Sequence, residues 1–158
     1  MVRHATKDDF AIIEKMAAKL WSKSGFPKIP YKAGSATLYM QIAFDQNLLL
    51  VVEVGGEIVG AAAGSMAPML GDSDVYIGSE LAWWIEEKHR RGGAGITLLQ
   101  GLEKAAKDAG CDVWCMFYMQ SSMPVEVEAM YKSQGYKLKE TVYMKDLKWQ
   151  QSQQQQQL

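Results

Sequence analysis

The apolar positions of this chain follow two periods that alternate along it. Phe10, Ile13, Met16, Ala17 and Leu20 recur at the spacing of one helix face. Thr6 stands before them as a cap candidate, with Asp8 and Asp9 in the first turn, where the helix dipole favours acids. Val2-Arg3-His4-Ala5 ahead of them is a short strand candidate, and Ser22 to Ser35, with Gly25, Pro27, Pro30 and Gly34, is a loop. A second helix is expected from Ala36 to about Asp45, with Leu38 and Ile42 turned inward.

The period then shortens. Asn47 to Val54 and Ile58 to Met66 are apolar strands around Gly55-Gly56, the signature of a hairpin. Ala61-Ala62-Ala63-Gly64 is a run of small residues, which suits close approach of a helix or ligand and equally suits tight packing. Pro68 to Asp74 is expected to turn, and Val75 to Ile85 to form the next strand. A helix follows over 94–109, with Leu98, Leu99, Leu102, Ala105, Ala106 and Ala109 on one stripe and Gly110 as its C-terminal cap. Asp112 to Met119 is apolar on both faces, as a buried central strand is. A last helix runs from Pro124 to about Gln134, closed by Gly135. Tyr136 to Leu147 alternates Leu138, Val142 and Met144 with lysines and reads as the last strand.

Composition narrows the field. A chain of 158 residues suits one domain able to bury about two-thirds of its unfolded surface. The domain is expected to span 1–147, and 148–158 to form an unordered glutamine-rich tail. A net charge of -1 and a pI near 6.1 give no reason to expect nucleic acid or an anionic membrane as partner. Cys111 and Cys115 on one strand would lie about 13 Å apart, too far for a disulfide. With only His4 and His89 elsewhere they make no zinc site, and no metal is expected. Arg3, His4, Lys7, Asp8 and Asp9 interrupt any signal peptide, and Leu48 to Val52 is too short to span a bilayer; a cytoplasmic protein is expected.

Chemistry concentrates in the stretch from Glu86 to Leu99. The apolar run Leu81-Ala82-Trp83-Trp84-Ile85 enters it and the amphipathic helix leaves it. A strand, a glycine turn and a helix in that order form an anion site, because unpaired N–H groups at the helix N-terminus face the ligand. Pyrophosphate is the natural occupant. Gly93-Ala94-Gly95-Ile96-Thr97-Leu98 lacks the third glycine of a Rossmann turn, and Gly95 is followed by isoleucine where a P-loop carries lysine.

What remains, Arg90-Arg91-Gly92-Gly93-Ala94-Gly95, resembles the acetyl-CoA loop R-x-x-G-x-G of the GNAT superfamily of N-acetyltransferases. Met130-Tyr131-Lys132-Ser133-Gln134-Gly135-Tyr136 resembles the "LYxxxGF" end of those domains, and Val2 to Ile13 their first strand and helix. The resemblance covers residues 2 to 147. It implies a single-domain α/β (α+β) GNAT fold, a central mixed, mostly antiparallel sheet flanked by helices on both faces. It further implies acetyl-CoA as cosubstrate, a primary amine of unstated identity as acceptor, and direct attack in a ternary complex. The backbone of Arg91, Gly92, Gly93, Ala94, Gly95 and Ile96, with Arg90, would hold the pyrophosphate. The strand at Trp83, Trp84 and Ile85 would take the acetyl carbonyl and pantetheine arm. Tyr131 matches the tyrosine that protonates the departing thiolate, although a ring packed on the sheet is equally consistent. Glu80 is the base candidate; alternation places it on the face of Ala82 and Trp84, and Asp72, Asp74 and Glu87 are rivals. Trp21, Phe26 and Tyr31 are candidates for the acceptor side, and exposed Trp and Tyr for a homodimer contact. One departure stands out: Pro124 occupies the position where many members carry an asparagine. A GNAT-fold module that keeps CoA affinity without catalysis is the alternative.

Overall fold

The computed structural model describes residues 1–25, 29–145 and 147. Its centre is a strand that is apolar on both sides. In β2 (Leu49–Val54), Leu50 and Val52 point to one face of the sheet, while Leu49 and Val51 point to the other. Such a strand is stable only in the middle of a sheet with a layer on each side. β1 (Val2–His4), β3 (Glu57–Met69) and β4 (Asp72–Ile85) extend the sheet antiparallel in the order β1-β2-β3-β4. β5 (Val113–Cys115) closes the edge parallel to β4. This is the mixed, mostly antiparallel sheet that was expected.

One face takes α3 (Ala94–Asp108), whose Leu98, Leu102, Ala105 and Ala106 pack on Leu50, Val52, Val59 and Ile85. The other takes α1 (Phe10–Ser22) and α2 (Thr37–Asp45), whose Ile13, Met16, Met40 and Ala43 pack on Leu49, Val51, Ala61 and Trp84. α4 (Pro124–Ser133) follows β5. Thr6 opens a single 3₁₀ turn before α1, giving its N–H and hydroxyl to the Asp9 carboxylate, which also receives Arg3 at 2.7 Å. Gly55 and Gly56 both have positive φ, +60° and +83°, as the two-residue hairpin requires.

The glycine that ends the run of small residues in β3 has a packing cause. Trp114 of β5 lays its indole across Gly78 of β4 and Gly64 of β3; a Cβ on either glycine would stand 2.7 Å or 2.5 Å from the ring. Gly101, inside α3, likewise leaves room for Val2, which a Cβ there would meet at 2.7 Å.

Four expectations need correction. In α2 the inward residues are Met40 and Ala43, whereas Leu38 is 65% exposed and Ile42 also reaches solvent. The apolar side chains of that helix are spread around it, so periodicity alone chose the wrong pair. The β3–β4 hairpin runs on to Met69 and Asp72, with Pro68 paired to Tyr76 across what was expected to be loop. The strand expected over 112–119 ends at Cys115. Finally, residues 136–145 form no strand, and Leu138, Val142 and Met144 are exposed. A strand there needs a long edge to pair with, and β5 offers three residues. The glutamine-rich tail from 148 lies outside the described residues, as does Phe26. Cys111 and Cys115 are free thiols, each half-buried.

The indole contact gives a direct test. Gly78→Ala should cost about 1–3 kcal/mol in chemical denaturation, as overpacking of a rigid ring does. Gly71→Ala, at a turn where a Cβ meets nothing within 4 Å, should stay within about 0.5 kcal/mol of the parent.

Candidate functional site

β4 delivers the chain to Ile85, a 3₁₀ turn over Glu87–His89 follows, and α3 starts at Ala94. Gly93 caps that helix in the left-handed region, φ +83° and ψ -9°, with no side-chain hydrogen bond to the cap. A side chain there would be strained by the backbone, not by space, for a Cβ would meet nothing within 4 Å. Thr97 gives the first helical N–H to the Gly93 carbonyl. The N–H groups of Gly93, Ala94, Gly95 and Ile96 are therefore the unpaired amides of the first turn. Gly95 packs toward β4, where a Cβ would make ordinary contact with Trp83 at 3.6 Å.

The neighbouring cations are partly occupied. Arg90 folds back on the strand, its guanidinium 4.5 Å from the Trp84 ring centre and its Nε donating to the Ile85 carbonyl at 3.0 Å. Lys88 faces Glu57 at 3.9 Å, both exposed. Lys19 pairs with Glu86 at 2.7 Å, and Lys23 with Glu87 at 3.7 Å. Arg91 is exposed. These pairs, with Trp84, line a cleft of about 570 Å³ between the end of α1 and the end of β4. Trp21 and Tyr31 are spent on fixing the loop after α1: the indole donates to the Ile29 carbonyl and the phenol to Glu14.

The second centre lies where β4 and β5 part. Their last pairs are Gly78 with Trp114 and Ser79 with Cys115, and Glu80 follows at once. The register of β4 against β3 slips here, Ala82 facing Ala63 while Glu80 faces Gly64, so Leu81 is an inserted residue. The bulge reverses the alternation. Glu80 therefore lies on the α3 face with Gly78 and Trp83, not on the face of Ala82 and Trp84 as regular alternation requires. It is 9% exposed, and its Oε2 has no partner among the described residues. Burial pushes its carboxyl up to about 8, against the pull of the Phe117 N–H. Asp72 and Asp74 stand exposed at the far hairpin tip and Glu87 on the surface, so among the acids considered Glu80 is the buried one.

Tyr131 of α4 faces the same space. It is 6% exposed and donates its hydroxyl to the Phe117 carbonyl at 2.6 Å. Its ring lies 6.4 Å from Trp83, 6.3 Å from Tyr118 and 5.5 Å from Tyr136. Burial first, and the Glu80 charge second, raise its hydroxyl above the ordinary phenol. The fold thus brings Glu80 and Tyr131 to one place and leaves the α3 amides at the end of the same strand. Phe117, whose carbonyl takes the Tyr131 hydroxyl, was missed, because nothing in its sequence neighbourhood marks where the strand stops. Among the described residues no cluster could hold a metal ion, and no helix is long and apolar enough to cross a membrane.

No curated protein matches this sequence. Solved structures share the fold at low identity. An aminoglycoside 6'-N-acetyltransferase from Acinetobacter haemolyticus, in its apo form, is 18% identical over 94% of this chain and 98% of its own, with a TM-score of 0.68. A ribosomal-protein-alanine N-acetyltransferase from Brucella melitensis biovar Abortus 2308 is 13% identical over 93% and 98%, with a TM-score of 0.72. A predicted acetyltransferase from Clostridium acetobutylicum, solved with acetyl-CoA, is 18% identical over 92% and 95%, with a TM-score of 0.70. The profile of the Acetyltransferase (GNAT) family matches residues 14–136, a span that holds the bulged β4, the uncapped glycine turn and Tyr131 alike. By that match, and by the sheet and helices that surround those elements, this chain belongs to the GNAT acetyltransferase family.

Proposed function

We propose that this protein is an N-acetyltransferase that moves the acetyl group of acetyl-CoA to a primary amine by direct attack in a ternary complex. The observation that carries the reading is the joining, along one strand, of an uncapped helix N-terminus and a buried carboxyl–phenol pair. Of the amides from Arg91 to Ile96, those of Gly93 to Ile96 suit a pyrophosphate best, because they are unpaired donors at the positive end of α3, while Gly92 gives its N–H to the His89 carbonyl. Arg90 and Arg91 add charge, and Trp84 and Ile85 supply the strand along which the pantetheine arm would lie.

In the reaction the amine nitrogen attacks the thioester carbonyl carbon, a C–N bond forms, and the C–S bond breaks. Glu80 as carboxylate accepts the proton that nitrogen loses, directly or through water. The thiolate leaves with its electron pair. Tyr131 donates a hydrogen bond to it; with its hydroxyl raised by burial, it stabilises the leaving sulfur more readily than it gives the proton up. A thiol near pKa 8.5 is already a fair leaving group. The module that binds CoA without turnover is the competing reading, favoured by Pro124 and by the commitment of the Tyr131 hydroxyl to Phe117.

Three measurements test the proposal. Gly93→Asp sets a carboxylate beside those amides at the cost of strain in the left-handed turn, so it should lower the melting temperature no more than Gly93→Ala does and lower acetyl-CoA affinity at least tenfold below that control by calorimetry. Unchanged affinity would move the cosubstrate elsewhere.

The base is tested by pH. Glu80 serves only when ionised, so turnover with an accepting amine should rise through about pH 8; Glu80→Gln should remove that limb. The same burial has a stability consequence. The unfolded carboxyl ionises near 4.5 and the folded one near 8, so stability conferred by the protonated form is lost as pH rises between those values. Glu80→Gln should therefore melt increasingly above the parent over that window. A parent and variant with parallel melting curves would place Glu80 in water.

Tyr131→Phe keeps the ring and removes the hydroxyl. Turnover should fall about 10²-fold, the lower end for such groups, with CoA affinity little changed. Equal loss of stability and activity would leave the hydroxyl a purely structural role.

A further inference from the structure

Among the described residues, the non-glycine residues with positive φ are Asn47, at +59°, and Met123, at +48°. Asparagine adopts that conformation readily; a long apolar side chain has no local reason to. Such a backbone persists where its surroundings hold it. Two ties do so here. Met123 opens α4, and its Sδ accepts an N–H from Arg90 Nη1 at 3.5 Å. Two residues earlier, the Ser121 hydroxyl donates at 3.0 Å to the carbonyl of Lys23, the cap residue of α1. Gly25 lies against the same serine, for a Cβ on it would meet the Ser121 Oγ at 3.4 Å. Between the ties the turn closes on itself, the Ser122 N–H donating to the Met119 carbonyl at 3.0 Å. The segment follows Tyr118, which packs on Tyr131, and leads into α4, which carries Tyr131.

We propose that residues 119–123 form a strap between the end of α1 and the β4–α3 turn, and that Arg90 is its latch, released when an anion is held before α3. The inference rests on the phosphate site proposed above. A thioether is a weak acceptor for a guanidinium, whereas phosphate oxygens take two of its N–H groups at once. A fork through Nη1 and Nη2 competes with the Met123 sulfur, and one through Nε competes with the Ile85 carbonyl. The sulfur is the weaker rival, so it is the one given up. The left-handed residue at 123 then loses the bond that holds it, and the strap loosens while Ser121 keeps its other end on α1. The coupling is reciprocal: an anion that has to break the latch binds less tightly than one meeting a chain whose latch is already open.

Amide exchange at Ser122 reads the strap. Inorganic pyrophosphate is the probe, because it has no pantetheine arm to touch residues 119–123. In the parent, saturating pyrophosphate should speed that exchange about threefold, near the low end for one lost hydrogen bond. Met123→Leu removes the sulfur and keeps an apolar side chain. It should show the faster exchange without ligand and no further rise with it. It should also bind pyrophosphate about threefold more tightly by phosphorus NMR titration, which a merely structural methionine would not bring about. Arg90→Gln should match its unliganded exchange. Ser121→Ala cuts the other tie and should leave the response to pyrophosphate intact. Bound pyrophosphate with unmoved Ser122 exchange overturns the proposal, and so does parent-like exchange in unliganded Met123→Leu and Arg90→Gln. Should pyrophosphate fail to bind, the phosphate reading of the turn falls instead, while the two unliganded variants still decide whether Arg90 holds the strap.

Discussion

Two parallel strands that stop exchanging hydrogen bonds leave a row of main-chain donors and acceptors with no ladder to join. β4 and β5 do so after Ser79 and Cys115. Everything of interest in this protein follows from how those groups are then satisfied. Beyond the last pair, β4 keeps its pairing with β3 and carries on to Ile85, while β5 ends and the Phe117 carbonyl beyond it accepts the Tyr131 hydroxyl. The gap between them is walled by Trp83, Tyr118 and Tyr131, whose rings stack in tilted contacts. Aromatic walls keep water from the carboxyl at the head of the gap, which is why Glu80 holds its proton to so high a pH.

The parting is itself held in place by packing. Trp114, the middle residue of β5, cannot lie flat on the sheet unless Gly78 and Gly64 lack side chains. That contact pins the last paired turn of the edge strand and so fixes where the divergence begins. On the opposite face, Trp84 sits under the Arg90 guanidinium. Three tryptophans therefore govern the same two strands from both sides, one holding them together and two shaping them where they separate.

Much of this was legible in the residues. The helical stripe of Leu98, Leu102, Ala105 and Ala106, the doubled glycine of the hairpin and the glycine turn before α3 carry local signals strong enough to survive folding. Gly93 falls in the turn that opens α3, and its positive φ is the reason a glycine stands there. What stayed hidden depends on pairing between distant segments. No local pattern says that β5 ends at Cys115, since Met116, Phe117 and Tyr118 are as strand-like as the residues before them. Tyr136 to Met144 alternates well, but alternation states only that a strand is possible, not that an edge exists to receive it. α2 failed for the opposite reason: its apolar residues point all round, and the neighbouring layer alone decides that Met40 and Ala43 go inside.

The bulge at Leu81 has a consequence for how such a chain can vary. On its two sides the facing of side chains differs by one step, so Glu80 and Trp83 share a face that uninterrupted alternation would deny them. Substituting Leu81 changes a contact with α1 and α2; deleting it would remove the bulge and leave Glu80 next to Ala82 in regular alternation. Without that residue Glu80 and Trp83 would still share the α3 face and Trp84 would keep the other, with the bulge lost and the partners Gly64 and Ala63 unchanged. The extra residue adds length and local twist to β4 without changing which side chains share a face. Alignments of distant relatives through this strand should be judged by which face a carboxyl reaches, because counting residues across the bulge assigns it to the wrong side.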